Sequence, residues 1–170
     1  MIFVISDTHF HHSKIIDPTG RPFASVEDMD NTLIANWNRV VRRDDLVCHL
    51  GNLALATRAR TVQLLKKLNG RIYLIRGNHD IRNLPVAWEG DLHTVRFDGT
   101  LFVMCHYPLA DWHGRPSGSI MVHGHMHGRP LDPFVPNRVD ASVEAIDYTP
   151  ISLKSVLERC RRYGTKSSSS

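Results

Sequence analysis

The stretch Arg71-Ile72-Tyr73-Leu74-Ile75-Arg76-Gly77-Asn78-His79-Asp80 turns from an apolar run to a polar cluster within ten residues. Such a run, rich in β-branched and aromatic residues and stopped by glycine, is predicted as a buried strand that opens into a polar loop. The same change occurs where Ile2–Ser6 runs into Asp7-Thr8-His9, and where Leu46–Leu50 runs into Gly51-Asn52. Between these runs Val26, Met29, Leu33, Trp37, Val40 and Val41 recur at helical spacing behind a weak capping box, Ser25 with Asp28. Val62, Leu65 and Leu68 mark a second helix, ended by Asn69-Gly70. The first half therefore repeats strand, polar loop, helix, as a largely parallel α/β layer does.

The second half changes period. His93–Phe97 and Thr100–Cys105 flank Asp98-Gly99, the dipeptide favoured in a type I′ hairpin turn, and the second of these strands feeds His106. Ser119–Val122 reads as a strand leading into His123-Gly124-His125-Met126-His127, and Val139–Ala145 as a later strand. Ser152 caps a last helix with Leu153, Val156, Leu157 and Cys160 on one face and Gly164 as its stop. Residues 1–164 are read as one domain, and 165–170 as a polar, disordered tail.

With 170 residues, 42% hydrophobic and 22% charged, the chain can bury a core without staples. No apolar run nears membrane-spanning length, and Met1–Ile5 lacks the flanks of a signal peptide, so a cytoplasmic protein with no membrane partner is expected. Three cysteines without C-x-x-C spacing read as reduced thiols. The net charge of +4 suits a phosphate-bearing substrate but is too small for a nucleic-acid coat, and with no cysteine ligands it disfavours a zinc-stapled nucleic-acid binder.

Chemistry gathers at the strand ends: Asp7-x-His9, Gly51-Asn52, Gly77-Asn78-His79-Asp80, His106 and Gly124-His125-x-His127. In α/β sheets ligands bind at the carboxyl ends of strands, so these loops should converge. Imidazole, carboxylate and amide oxygen suit a manganese, iron or zinc ion. Seven candidate donors exceed one tetrahedral shell and fit two ions about 3.5–4 Å apart, the arrangement that activates water and clamps a phosphoryl oxygen.

The ordered motifs D-x-H, G-N-H-D, a lone His and G-H-x-H resemble the calcineurin-like metallophosphoesterase superfamily from Ile2 to about Leu157. Ser6–Phe10, Asn36–Asn38, Cys105–Leu109 and Pro150–Leu153 resemble a compact prokaryotic and phage branch of it. The resemblance implies an α/β fold of two facing mixed sheets flanked by helices, and two divalent ions, manganese favoured. It assigns Asp7, His9 and His127 to one ion and Asn78, His106 and His125 to the other, with position 52 between them. It implies a metal-bridging hydroxide as nucleophile. His79 would contact the phosphate and protonate the leaving oxygen, with Asp80 holding its tautomer. His49 and His123, which precede glycines at strand ends, are read as structural or as supports behind the ligands. His12 and His113 are candidates for substrate contact; like His11, Trp112 and Arg115, they lie in loops beside the motifs, where the alternative is simple solvation.

One position departs from the family pattern: Asn52 stands where the family has a metal-bridging aspartate. A carboxylate offers two anionic oxygens, whereas an amide offers one neutral oxygen and a nitrogen that cannot ligate. Asp7 is then the only charged ligand facing two dications, whose mutual repulsion at about 4 Å is on the order of 16 kcal/mol at an effective dielectric near 20. We read Asn52 as an engineered or activity-weakening substitution in an otherwise intact enzyme, one that leaves one metal position under-occupied. The expected function is hydrolysis of a phosphoester, preferably a nucleotide-type phosphodiester or a nucleic-acid end. The alternatives are a phosphomonoesterase and a non-catalytic metal- or phosphate-binding scaffold on the same fold.

Overall fold

The computed structural model describes residues 1–166. One sheet holds β1 (Ile2–Ile5), β2 (Leu46–His49), β3 (Arg71–Ile75) and β4 (Trp88–Gly90), all parallel, with β9 (Ile151–Ser152) antiparallel on the far side of β1. The other holds β5 (Leu92–Phe97), β6 (Thr100–Cys105), β7 (Ile120–His123) and β8 (Arg138–Asp140), in that order; β5 and β6 form a hairpin and the rest are parallel. At the hairpin turn Asp98 and Gly99 both take positive φ, as a type I′ turn requires.

Alternation along the strands decides the layers. Phe3 and Ile5 of β1 and Val47 of β2 face Met29, Leu33 and Trp37 of α2 (Val26–Val40), which follows the one-turn α1 (Ile16–Thr19), and Leu64 of α3 (Arg58–Leu65). The intervening residues Val4 and Cys48 face the second sheet, through Phe102 and Met104 of β6 and Ile120 and Val122 of β7, with Leu153, Val156 and Leu157 of α4 (Leu153–Lys166) in the same cluster. Being buried on both faces is why these strands read as continuous apolar runs. Each such side chain contributes roughly 1.5–3 kcal/mol of burial. The α/β fold with two mixed sheets flanked by helices is thus the one expected.

Half of the expected α2 capping box forms: Asp28 N–H donates to Ser25 Oγ at 3.1 Å, but the Asp28 carboxylate takes the Ala24 N–H and not that of Ser25. Ser152 Oγ likewise accepts the Ser155 N–H at the start of α4.

Several details differ from expectation. The helix expected to end at Asn69-Gly70 stops at Leu65, where the chain tightens into turns, and the two-residue β9 is too short to read from the sequence. The strand expected over Val139–Ala145 stops at Asp140, and Val143–Ala145 is a 3-10 turn, because Asp140 Oδ1 takes both the N–H and the hydroxyl of Ser142 and bends the chain there. Gly164 does not end α4, which runs to Lys166; glycine lowers helix propensity without removing a donor. Thr165 and Lys166 of the expected tail therefore belong to α4, and residues 167–170 lie outside the described residues. The three-residue β4 is too short for periodicity to reveal. Among the described residues no helix is long and apolar enough to cross a membrane.

Candidate metal centre

The chain reaches the centre through sharp corners at the strand ends. Asp7, His9, Asn52, His125 and His127 all adopt positive φ, which costs non-glycine residues energy and clusters at functional sites. Gly51 lets two strand ends meet: a Cβ there would fall 2.5 Å from Gly77 N. Gly124 does the same against Ser6 Oγ and the Asp7 carboxylate.

Asp7 is buried at the end of β1. Its Oδ2 accepts Ser6 Oγ at 2.7 Å, His125 N–H at 2.7 Å and Ser142 Oγ at 3.2 Å, which leaves Oδ1 turned toward two imidazoles. His9 Nε2 and His127 Nε2 each lie 3.7 Å from that oxygen, too far for a hydrogen bond and open enough for an ion between them. Asp7, His9 and His127 are the one cluster of three or more His, Cys, Asp or Glu among the described residues whose ligand atoms converge within 4.8 Å. His9 Nε2 is buried without a hydrogen-bond partner, a state that an ion would relieve. Burial alone raises the Asp7 carboxyl, but the His9 and His106 imidazoles, the Ser6 hydroxyl and His127 outweigh it and hold it below the usual carboxylate range. Burial pushes the His9 imidazole down, so it stays a neutral donor. Burial also works against a charged His127, but the hydrogen bond and charge of Glu144 more than offset it and raise that ring.

A second donor set lies across Asn52. His106 Nδ1 is 2.7 Å from the Leu50 carbonyl and donates to it, which leaves Nε2 with a lone pair. That nitrogen faces Asn78 Oδ1 at 3.1 Å and His125 Nδ1 at 3.3 Å. Two lone pairs set against each other, as on His106 Nε2 and Asn78 Oδ1, fit a cation between them. Both donor sets therefore fit divalent ions by chemistry, but only the first contains an anion.

Asn52 occupies the space between the sets. Its Nδ2 donates to Asp7 Oδ1 at 3.1 Å and Asn78 Oδ1 at 3.3 Å, while its Oδ1 accepts the His79 N–H at 3.0 Å. The donors and acceptors around the amide allow one orientation, with nitrogen and not oxygen pointing at the would-be ligands.

The remaining expected residues divide. His12 reaches the cleft, its Nδ1 3.3 Å from His9 Nδ1, and His79 is exposed at the cleft mouth with its ring edge-on to His9. Asp80 is not on the His79 ring. Its carboxylate instead accepts the N–H groups of Asn52 at 2.6 Å, Gly77 at 2.8 Å and Leu53 at 2.8 Å, and so staples two motif loops together. Three amide donors capture a half-buried carboxylate before an exposed imidazole can. His113 also lies away from the cleft: its side chain is exposed and its carbonyl accepts Ser119 Oγ at 2.8 Å, next to the buried Trp112. Arg115 stacks on Trp112 and His11 is held by Asp30, so neither lines the cleft. His49 is structural: Nδ1 accepts the Gly51 N–H and Nε2 meets Thr8 Oγ1.

Sequence reading missed Arg21, Glu144, Tyr107 and Arg129. Tyr107, 45% exposed, sets its ring edge-on to His106 and His125, each at 4.9 Å, and Arg129 lines the cleft. The position of Arg129, two residues past the last motif histidine, was the available signal.

An oxygen- and imidazole-lined cleft set on the strand ends of two facing sheets is a candidate site for divalent ions. The family model described as calcineurin-like phosphoesterase superfamily domain matches residues 1–137, and the chain belongs to that superfamily. It is 42% identical over 166 residues to an uncharacterized protein of Methanocaldococcus jannaschii, covering 92% of this chain and 89% of that one. It is 30% identical over 160 residues to the gene 66 protein of Mycobacterium phage D29, covering 75% of this chain and 79% of that one. The fold is similar to the crystal structure of a protein of unknown function from Aquifex aeolicus, with a TM-score of 0.74 at 24% identity over 93% of this chain and 98% of that one.

Proposed function

We propose that the protein is a divalent-metal-dependent phosphoester hydrolase, manganese favoured, that prefers phosphodiesters of the nucleotide type. Asp7, His9 and His127 hold one ion firmly, and Asn78, His106 and His125 hold a second weakly. The observation that carries this reading is the convergence of Asp7 Oδ1, His9 Nε2 and His127 Nε2 around a buried nitrogen with no partner. A dication held there supplies acidity to a water and charge neutralisation to phosphoryl oxygens.

The protein's own groups do the rest. His79, exposed and free of side-chain hydrogen bonds, meets the leaving oxygen and gives it a proton. Arg129 brings a cation to the same cleft for a phosphate oxygen. Tyr107 offers an exposed aromatic edge beside two donors, a surface on which a nucleobase can rest. Asn52 lacks the charge of a bridging aspartate and so weakens turnover.

The test is hydrolysis of bis(4-nitrophenyl) phosphate and 4-nitrophenyl phosphate with manganese, beside a chelator control, for the chain and for Asn52→Asp. Metal-dependent hydrolysis favouring the diester is expected in both, faster in the aspartate form. Preference for the monoester would make the protein a phosphomonoesterase. No turnover in either form would favour the scaffold reading, for which the amide seated between the two donor sets is the specific support.

A further inference from the structure

Arg21 and Glu144 lie 123 residues apart and form an ion pair with side-chain exposures of 0% and 9%. Arg21 Nε and Nη2 approach Glu144 Oε1 at 2.9 and 2.8 Å. The rest of the guanidinium goes to the loop after β1: Nη2 donates to the Asp7 carbonyl at 2.7 Å and Nη1 to the Thr8 carbonyl at 2.9 Å. Glu144 Oε1 accepts from His127 Nδ1 at 2.9 Å, which leaves the His127 Nε2 lone pair facing Asp7 Oδ1. Glu144 Oε2 is buried without a partner; with His9 Nε2 it is one of two such side-chain atoms among the described residues, and both border this cluster.

A buried ion pair is a poor device for stability, since apolar residues of similar size often serve the fold as well. Its placement here is specific. The segment that carries Glu144 touches the centre three times: Ser142 Oγ on Asp7 Oδ2 at 3.2 Å, the His127 N–H on Ser142 Oγ at 3.2 Å, and Glu144 on the His127 ring. Val143 N–H donates to the Ser6 carbonyl and pins the segment to the end of β1. A carboxylate behind a ligating imidazole fixes its tautomer and strengthens the other nitrogen as a donor.

We propose that Glu144 and Arg21 are a positioning pair for the metal centre. Glu144 aims His127 Nε2 at the ion, and Arg21 ties Glu144 to the Asp7–Thr8 backbone so that two motif loops keep one geometry. This rests on the reading of Asp7, His9 and His127 as ligands.

The test is calorimetric titration of the full chain with Mn²⁺, with thermal melts in chelator to report on the fold. Glu144→Gln should remain folded and bind Mn²⁺ about 10- to 100-fold more weakly. Arg21→Lys should lose less, because an ammonium can reach Glu144 but cannot hold two carbonyls as well. The double variant Arg21→Met with Glu144→Gln leaves no unpaired charge and should still fold in chelator, with a modest loss from the Asp7 and Thr8 carbonyls that Arg21 no longer reaches and with the weakened affinity of Glu144→Gln. Affinities within twofold of the parent in folded variants would overturn the proposal, as would a double variant that does not fold, which would make the pair structural. If the parent binds no Mn²⁺, or His127→Ala leaves its affinity unchanged, the ligand assignment itself fails instead.

Discussion

The amide nitrogen of Asn52 lies 3.1 Å from Asp7 Oδ1 and donates to it. If position 52 is the bridging position that the resemblance implies, the chain has there a neutral group whose donor end already satisfies the carboxylate. An ion that enters beside Asp7 must take that oxygen from the amide. If Asn52 is also to ligate, its side chain must turn over and give up the His79 N–H held at 3.0 Å. The position of Asn78, His106 and His125, which has no anion, is affected most.

Asp80→Asn should destabilise the chain. The two carboxylate oxygens accept three backbone N–H groups, and an amide nitrogen in place of either oxygen would face a donor. The expected loss is about 1–3 kcal/mol in urea unfolding under chelator. Unchanged stability together with a leaving-group-dependent loss of turnover would return Asp80 to the role of orienting His79.

His79→Ala, in the Asn52→Asp background, should leave metal content unchanged while turnover on esters with poor leaving groups falls by roughly 10²- to 10⁴-fold. An aryl leaving group departs without a proton and should lose less. Loss of metal, or equal loss on both substrates, would show that His79 is not the acid.

The apo chain should lose stability on mild acidification, in part through His49. Burial pushes this imidazole down to about 3. In the unfolded chain it takes up its proton near pH 6.5, so between about pH 6.5 and 3 the unfolded state binds more protons and stability falls as pH falls. The His49 share is up to roughly 1.4 kcal/mol per pH unit over that window. His49→Gln, which keeps a donor for Thr8, should flatten the pH dependence of the urea midpoint in chelator; the same slope in parent and variant would contradict this.

Much of the site is legible along the chain because Asp7, Asn52, Asn78, His106 and His125 each sit just past a strand whose apolar run can be read. Arg21 and Glu144 are not legible. Arg21 sits in Arg21-Pro22-Phe23, a stretch that reads as a solvated loop, and its partner lies in a segment whose periodicity mimics a strand until Asp140 and Ser142 turn it. Asp80 and His113 were misplaced for a related reason: adjacency to a motif says nothing about where a side chain turns, and backbone donors decided it for Asp80.

Counting metal tests the account most directly. After dialysis against dilute chelator, Mn²⁺ titration and elemental analysis of the chain should find about one firmly held ion, abolished by His127→Ala. Asn52→Asp should hold two and turn over phosphodiesters at least about tenfold faster, roughly 1.4 kcal/mol of barrier. Two firmly held ions in the Asn52 chain would contradict the account, as would an aspartate form that binds two ions yet hydrolyses neither diesters nor monoesters.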